Sequence, residues 1–195
     1  MESFVPIVSF LHVEGHLPLS QYLVALGSNQ RHQRHGTPRQ VIRAAAKHLD
    51  DHGQSLLRLS KIISARPLGP SQRNYANAAA IVETALTPPE LLHYLKSVEA
   101  QFGLRRGQRW SKRVLDLDII LWSEGAHISG SPSLIIPHPE FRVRPFVLEP
   151  ATEIAAAWHD PVSSLSVAQI SARLRRFNNP PRKLPKPLDP KPKRH

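Results

Sequence analysis

The stretch RWSKRVLDLDIILW, Arg109–Trp122, decides how the fold is interpreted, because its second half favours a strand and yet contains two acids. Branched apolar residues favour a β-strand, whereas aspartate is disfavoured in one. Asp116 and Asp118 are two residues apart, so their side chains share a face of the strand. The opposite face carries the apolar residues Leu115, Leu117 and Ile119. This pattern predicts a sheet strand that packs on a helix with one face and presents carboxylates on the other.

Two neighbouring carboxylates repel each other, and partial burial makes their charges more costly still. A divalent cation between them would remove that cost, and Mg²⁺ prefers carboxylate oxygens together with phosphate oxygens. The alternative is a strand exposed on one face, with the aspartates paired to Arg109 or Arg113. The spacing alone leaves both interpretations open.

The segment before the strand, Gly103–Arg113, has five cationic side chains and no acidic one. Arginine forks match phosphate oxygens, and Trp110 could stack on a flat ring. Such a segment on its own is more often an ordinary solvated basic loop. Next to a carboxylate pair it indicates phosphoryl transfer, because acids that hold a metal and cations that neutralise phosphates recur together in that chemistry.

The remaining sequence predicts an α+β fold. Thr37-Pro38 and Thr87-Pro88 have the composition of helix N-termini. The predicted elements are strands at Tyr22–Gly27, Ser55–Ser64, Asn77–Leu86 and Val114–Trp122, and helices at Thr37–Gly53 and Thr87–Gly103. This βαββαβ order is typical of a ferredoxin-like antiparallel sheet flanked by helices. Extra C-terminal helices are expected near Val147–Ala157 and Val167–Arg176.

The charge of the chain is concentrated at its C-terminal end. The net charge is +11, and Arg175–His195 carries +7 of it, which leaves +4 for residues 1–174. The same 21 residues contain six of the 19 prolines, a composition that disfavours a packed core. The basic pI near 10.7 is therefore weak evidence for a nucleic-acid partner.

Composition also bounds the protein class. The chain has no cysteine, which excludes disulfides and thiolate metal sites, and no apolar run of the length that spans a bilayer. We expect a cytoplasmic protein organised as an N-terminal extension of unknown role (1–20), one domain (21–176) and a basic Pro-rich tail (177–195) that is disordered.

Several motifs together resemble those of the 6-hydroxymethyl-7,8-dihydropterin pyrophosphokinase family. They are ALGSN (Ala25–Asn29), PLGPSQRNYANA (Pro67–Ala78), ELLHYLKSVEAQFG (Glu90–Gly103), RW..RVLDLDI (Arg109–Ile119), IPHP (Ile136–Pro139) and RPFVLEP (Arg144–Pro150). Each is weak alone, but their order and spacing over about 150 residues are specific. The resemblance implies a ferredoxin-like fold and transfer of pyrophosphate from ATP, a co-substrate, to the pterin alcohol in folate biosynthesis.

The resemblance also implies a role for individual residues. It implies that Asp116 and Asp118 bind two Mg²⁺ ions. The catalytic loop residues it implies are Arg106, Arg109, Trp110 and Arg113, and the ATP contacts are these four with Ile119, His138 and Arg144. For the pterin it implies stacking between Tyr75 and Phe146, a hydrogen bond from Asn77, and backbone contacts at Leu68 and Gly69.

The chain departs from the family pattern at Leu104, at Ser111–Lys112 and at Ala65. These changes remove one expected loop cation, alter the segment that closes over ATP, and remove one hydroxyl beside the pterin. They leave the acids, Trp110 and Asn77 in place, so we expect activity to be retained with an altered rate.

The mechanism we expect is direct attack of the pterin hydroxymethyl oxygen on the β-phosphorus of ATP, with AMP leaving and no assigned general base. The alternative is a catalytically impaired relative that acts as a nucleotide- or RNA-binding protein. An acidic strand pair without metal would repel phosphate, which counts against an RNA-binding module. We expect a monomer with no membrane association and no nucleic-acid partner.

Overall fold

The structure is a computed structural model that describes residues 18–50, 54–65, 75–103, 114–131 and 133–178. Most of the predicted N-terminal extension and tail lies outside these ranges, so both remain predictions. The same holds for Gly53, the predicted end of the first helix. None of the described helices has the length and apolar character needed to span a membrane.

The described residues form seven strands, four α-helices and one 3₁₀ turn. The strands are β1 (Ser20–Ser28), β2 (Ser55–Leu59), β3 (Ile63–Ala65), β4 (Tyr75–Thr84), β5 (Asp116–Trp122), β6 (His127–Gly130) and β7 (Ser133–Ile136). The α-helices are α1 (Pro38–Leu49), α2 (Pro88–Gln101), α3 (Pro145–Ala155) and α4 (Val167–Asn178), and the 3₁₀ turn spans Phe141–Val143.

The main sheet has the order β2–β4–β1–β5, with β3 also paired to β4, and its pairs are antiparallel. This confirms the predicted ferredoxin-like arrangement. The predicted strand Ser55–Ser64 is divided into two short strands, because the regular strand pairing is interrupted at Ser60. There the Ser60 N–H donates to Ala79 O at 2.9 Å, and the Ala79 N–H donates to Ser60 Oγ at 2.9 Å.

One face of the sheet is covered by α1 and α2, both of which begin at the threonine that the sequence predicts. The Thr37 N–H donates to Gln40 Oε1, and the Thr87 N–H donates to Glu90 Oε2, each at 2.8 Å. These bonds satisfy backbone donors that a helix start leaves unpaired. The α2 helix ends before Gly103, whose φ of +119° suits glycine.

The other face of the sheet is covered by α3 and α4. Strand β5 contributes to both layers through the alternation of its side chains, and its pairing with β1 shifts between Leu23 and Val24. Val24 pairs with Ile119 and Leu23 pairs with Leu121, so Ile120 is an extra residue in β5. Ile120 and Leu121 consequently both pack in the α3 layer, whereas Ile119 packs in the α1–α2 layer.

The sequence analysis did not identify the β6–β7 hairpin. It forms a separate two-stranded sheet with His127 opposite Ile136. Its residues include serine, glycine and histidine, and each strand is only four residues long, so no apolar alternation marks it. The hairpin matters for the site because it leads directly into the turn that carries His138.

Candidate active site

The site is organised by two neighbouring rows of residues that run across the sheet. Gly27 of β1 pairs with Asn77 of β4 on one side and with Asp116 of β5 on the other. In the next row, Ala25 lies between Ala79 and Asp118. The small side chains in the middle leave room above the sheet between the amide and the two carboxylates. These residues lie on the face covered by α3, as the packing of Ala79 shows.

The two predicted metal ligands lie together on that face and are partly buried. Burial raises the pKa of Asp118, and the negative charge of Asp116 raises it further. His138, Lys96 and Arg144 act in the opposite direction. This donor set fits a divalent cation, because hard oxygen ligands in a region of excess negative charge are what Mg²⁺ requires.

Across the described residues, no group of three or more histidines and acids is arranged to hold a metal ion. The Asp116–Asp118 pair therefore offers only part of a coordination shell. Phosphate oxygens and water complete the shell of Mg²⁺ in many nucleotide sites.

Glu99 is a residue of this region that the sequence analysis did not single out. Its carboxylate, on α2, accepts a hydrogen bond of 2.7 Å from the N–H of Leu117, the residue between the two aspartates. Lys96 forms an ion pair with the same carboxylate at 2.8 Å. Burial raises the pKa of Glu99, while Lys96 and the Leu117 N–H oppose that rise. The position of Glu99 three residues after Lys96 does not predict its contact with Leu117.

His138 is held at the edge of β5 by its backbone. Its N–H donates to the carbonyl oxygen of Ile120 at 3.0 Å, where β5 has its extra residue. Its Nδ1 accepts a hydrogen bond from the Glu140 N–H at 3.1 Å. Burial lowers the pKa of His138, Asp118 raises it and Arg144 lowers it, with the net effect a lowered value. The imidazole and the carboxylate of Asp118 are thus close enough to influence each other.

Arg144 lies between His138 and α3 and brings a positive charge to the acidic pair. Its guanidinium donates to the carboxylate of Glu140. Its central carbon also lies 5.9 Å from the centroid of the Phe146 ring. The predicted ATP contacts His138 and Arg144 both act electrostatically on the predicted metal ligand Asp118.

Asn77 is the predicted pterin contact with the clearest structural signal. Its side chain is 5% exposed, and its Nδ2 has no hydrogen-bond partner in the part of the chain that the structure describes. Buried amide donors are normally paired, so an unpaired one on a binding face indicates a group that a ligand satisfies. Tyr75 lies two residues earlier on the same strand, and Phe146 lies in α3, which covers this face.

Six predicted site residues lie outside the described ranges: Leu68, Gly69, Arg106, Arg109, Trp110 and Arg113. Their roles therefore remain predictions. The side chain of Ile119, predicted to contact ATP, is 3% exposed and packs in the α1–α2 layer. It points away from the aspartates, so a contact with ATP would have to come from its backbone.

Comparisons with known proteins identify the family of this chain. The family model for 7,8-dihydro-6-hydroxymethylpterin-pyrophosphokinase (HPPK) matches residues 23–156. The chain belongs to the HPPK family. The match spans β1 to α3 and so includes the aspartate pair, Asn77 and His138.

Individual relatives carry the name 2-amino-4-hydroxy-6-hydroxymethyldihydropteridine pyrophosphokinase. The Synechocystis protein is 40% identical over 118 residues, which is 60% of this chain and 60% of that protein. The Haemophilus influenzae protein is 39% identical over 135 residues, which is 68% of this chain and 80% of that protein. Such pyrophosphokinases are ATP-dependent diphosphotransferases. The comparisons give no support to the alternative of an impaired nucleotide- or RNA-binding relative.

The fold of this HPPK family member is also found in solved structures. The crystal structure of Plasmodium falciparum HPPK-DHPS wild type with pteroate matches with a TM-score of 0.64 at 11% identity. The match covers 83% of this chain and 43% of that one. At this identity the likeness establishes the fold, in agreement with the sheet order.

Proposed function

We propose that this chain transfers pyrophosphate from ATP to 6-hydroxymethyl-7,8-dihydropterin and releases AMP and the pterin diphosphate, as a step of folate biosynthesis. Membership of the HPPK family and the names of its relatives support this reaction. The observation that supports the proposal is the row Asn77–Gly27–Asp116, in which a side-chain amide and a carboxylate lie two strand spacings apart, about 10 Å.

The pterin ring is recognised in this proposal by Asn77, Tyr75 and Phe146. A pterin has an amide-like edge, and an Asn side chain can donate to and accept from such an edge at once. The unpaired Nδ2 of Asn77 supplies the donor. The two aromatic side chains offer flat faces for stacking on the ring, and Leu68 and Gly69 complete the pocket through their backbone.

The ATP side of the proposal rests on Asp116, Asp118, His138 and Arg144. The aspartates would hold two Mg²⁺ ions, which would supply positive charge to neutralise the phosphates of ATP. Arg144 adds a positive charge beside them, and its interaction with Asp118 is part of what limits the rise in the pKa of that acid. His138, with a lowered pKa, can approach the phosphates as a neutral hydrogen-bond donor through Nε2, because its Nδ1 already accepts from Glu140.

Catalysis would then depend on positioning and charge neutralisation. The hydroxymethyl oxygen of a pterin held at Asn77 would face the β-phosphorus of ATP held at the aspartates, so that oxygen forms the new bond as the bond to AMP breaks. Arg106, Arg109, Trp110 and Arg113 are the residues we propose to close over ATP. A cytoplasmic monomer with no nucleic-acid partner stays our prediction.

The test is an assay of AMP release by the purified chain, with hydroxymethyldihydropterin and Mg²⁺ each omitted in turn. We expect release that requires both, and that Asp116→Ala abolishes. AMP release that is absent in the wild type, or that is unchanged in Asp116→Ala, would remove the proposal.

A further inference from the structure

Arg142 and Asp160 form a bidentate ion pair next to the site, between residues that the proposed reaction does not use. Arg142 Nε donates to Asp160 Oδ2 at 2.7 Å, and an Arg142 terminal nitrogen donates to Asp160 Oδ1 at 2.6 Å. The Asp160 side chain has no accessible surface, and that of Arg142 is 28% exposed. Two parallel bonds of this kind fix orientation as well as distance.

The Asp160 end of the pair is anchored by its own turn. Its carboxylate also accepts from the N–H groups of Val162 and Ser163 and from the Ser163 hydroxyl. The Asp160 N–H donates to Leu165 O at 2.9 Å, and the Ser164 N–H donates to Asp160 O at 2.8 Å. These bonds hold Asp160 in the turn that precedes α4.

Arg142 lies in a short turn that is only weakly held by its own hydrogen bonds. The 3₁₀ turn is three residues long, and turns of this kind have weak hydrogen-bond geometry. Its bonds join the two proposed ATP contacts: the Phe141 N–H donates to His138 O at 3.2 Å, and the Arg144 N–H donates to Phe141 O at 3.3 Å. Phe141 is buried and anchors one side of the turn, while the Arg142 guanidinium lies 4.8 Å from the Phe141 ring centroid.

We propose that Arg142 and Asp160 are positioning residues, which hold the 3₁₀ turn so that His138 and Arg144 meet the phosphates of ATP. This inference rests on the proposed function, since it assigns a task to the same site. We assign the pair no contact with either substrate, so it acts through the turn. Both residues are needed, because Asp160 is held by the turn before α4 and its two bonds to Arg142 restrain the 3₁₀ turn.

The position of the pair predicts which kinetic constants change. The turn carries two proposed ATP contacts. Of the proposed pterin contacts, Asn77 and Tyr75 lie in β4, and Phe146 is held by packing in the α3 layer. Displacing the turn should therefore weaken the use of ATP more than the use of the pterin. Misplacement by about 1 Å can cost up to about 100-fold in rate, and we expect part of that loss.

The experiment compares Arg142→Met and Arg142→Lys with two control variants of the full chain. Arg58→Met is the matched control, because Arg58 donates to Ile154 O at 3.4 Å and so also joins the sheet to α3, away from the turn. Ser163→Ala removes a hydrogen bond to Asp160 and leaves the ion pair. Steady-state kinetics with each substrate varied in turn give the two KM values and kcat.

We expect Arg142→Met to lower kcat/KM for ATP about tenfold while KM for the pterin changes less than about twofold. Arg142→Lys should restore part of the loss, since it keeps the charge but not the fork. Both controls should match the wild type. A folded Arg142→Met or Arg142→Lys with wild-type constants for ATP, or one in which KM rises as much for the pterin as for ATP, would overturn the proposal.

A second readout needs no turnover. The imidazole signals of His138 in nitrogen-detected NMR, assigned with His138→Gln, should shift in Arg142→Lys and stay in place in Arg58→Met. If the wild type releases no AMP, the proposed function fails and this readout still decides whether the pair positions His138. Unshifted His138 signals in a folded Arg142→Lys would overturn the positioning role even in an active enzyme.

Discussion

Asn77 and Asp116 lie on either side of Gly27, which has no side chain to separate them. A Cβ added at Gly27 would lie 3.6 Å from Asn77 Oδ1 and 3.8 Å from Asp116 Cβ. These are ordinary van der Waals distances, so one methyl group fits, but a longer side chain would occupy the space above the sheet between the amide and the acid. The pairing of Gly27 with both residues makes this glycine the middle of the site.

The first prediction concerns the space above Gly27. Gly27→Ala should fold and keep kcat/KM for both substrates within about threefold of the wild type, whereas Gly27→Leu should fold but lose about 100-fold because reacting groups are displaced. Steady-state AMP release measures both variants. Gly130→Leu is the matched control, since no atom lies within 4 Å of its added Cβ, and it should behave as the wild type. An active Gly27→Leu would contradict the assignment of this face.

Replacement of Asn77 should raise KM for the pterin and leave KM for ATP nearly unchanged. Asn77→Ala removes the unpaired Nδ2, so we expect KM for the pterin to rise about tenfold, the loss of about 1.4 kcal/mol typical of one hydrogen bond. The KM for ATP should stay within about twofold, and the Tm should not fall, because no bond of Nδ2 within the described structure is lost. Asn178→Ala, at the exposed end of α4, is the control. A rise in both KM values would instead indicate a structural role.

Asp118 should lower the stability of the fold and be required for activity. Because burial and Asp116 raise its pKa in the folded chain, ionised Asp118 destabilises the fold at pH values above its unfolded pKa of about 3.9. In metal-free buffer at pH 7, Asp118→Asn should therefore raise the Tm, and a gain of about 1 kcal/mol corresponds to about 2–4 °C. That gain should disappear below about pH 4, where unfolded Asp118 is also protonated.

The same variant should lose AMP release by about 100-fold or more. Glu124→Gln, in the exposed turn after β5, should change neither property. A less stable Asp118→Asn, measured by thermal unfolding without metal, would contradict the description of a mutually repelling pair. Retained AMP release would contradict its role in binding phosphate through a metal.

Asp160 should show the opposite dependence on pH. Burial would raise its pKa, but hydrogen bonds from Arg142, Ser163 and Val162 hold the value below the usual range. Its stabilisation is therefore present above the unfolded pKa of about 3.9 and is lost as pH falls through the lower folded value. Urea unfolding of the wild type and Asp160→Asn should differ most near neutral pH and converge in acid. Glu149→Gln, an exposed carboxylate of α3, should run parallel to the wild type at every pH.

The parts of the fold that could be predicted from sequence are those set by local rules. The Thr37 and Thr87 helix starts follow from capping, and the two faces of β5 follow from the alternation of acids and apolar residues. The βαββαβ order then limits the sheet to few arrangements. These features depend on neighbours within a few residues, so the sequence pattern displays them.

The features that could not be predicted depend on contacts between distant residues. The strand is interrupted at Ser60 because its side chain accepts a hydrogen bond from the Ala79 N–H. The Glu99 carboxylate accepts a hydrogen bond from the Leu117 N–H only when α2 packs on β5. The Arg142–Asp160 pair joins residues 18 positions apart, one in the 3₁₀ turn and one in the turn before α4. Spacing in the sequence carries no sign of such contacts, whereas the adjacency of Asn77 and the aspartates could be anticipated only through the family resemblance.

The most direct test of the central claim is the identity of the products when the chain is incubated with ATP, Mg²⁺ and 6-hydroxymethyl-7,8-dihydropterin. Phosphorus-31 NMR distinguishes AMP from ADP and a diphosphate ester from a monophosphate. We predict AMP and pterin diphosphate in equal amounts, with neither formed when the pterin is omitted. Formation of ADP with a pterin monophosphate, or ATP consumption that does not depend on the pterin, would contradict the account.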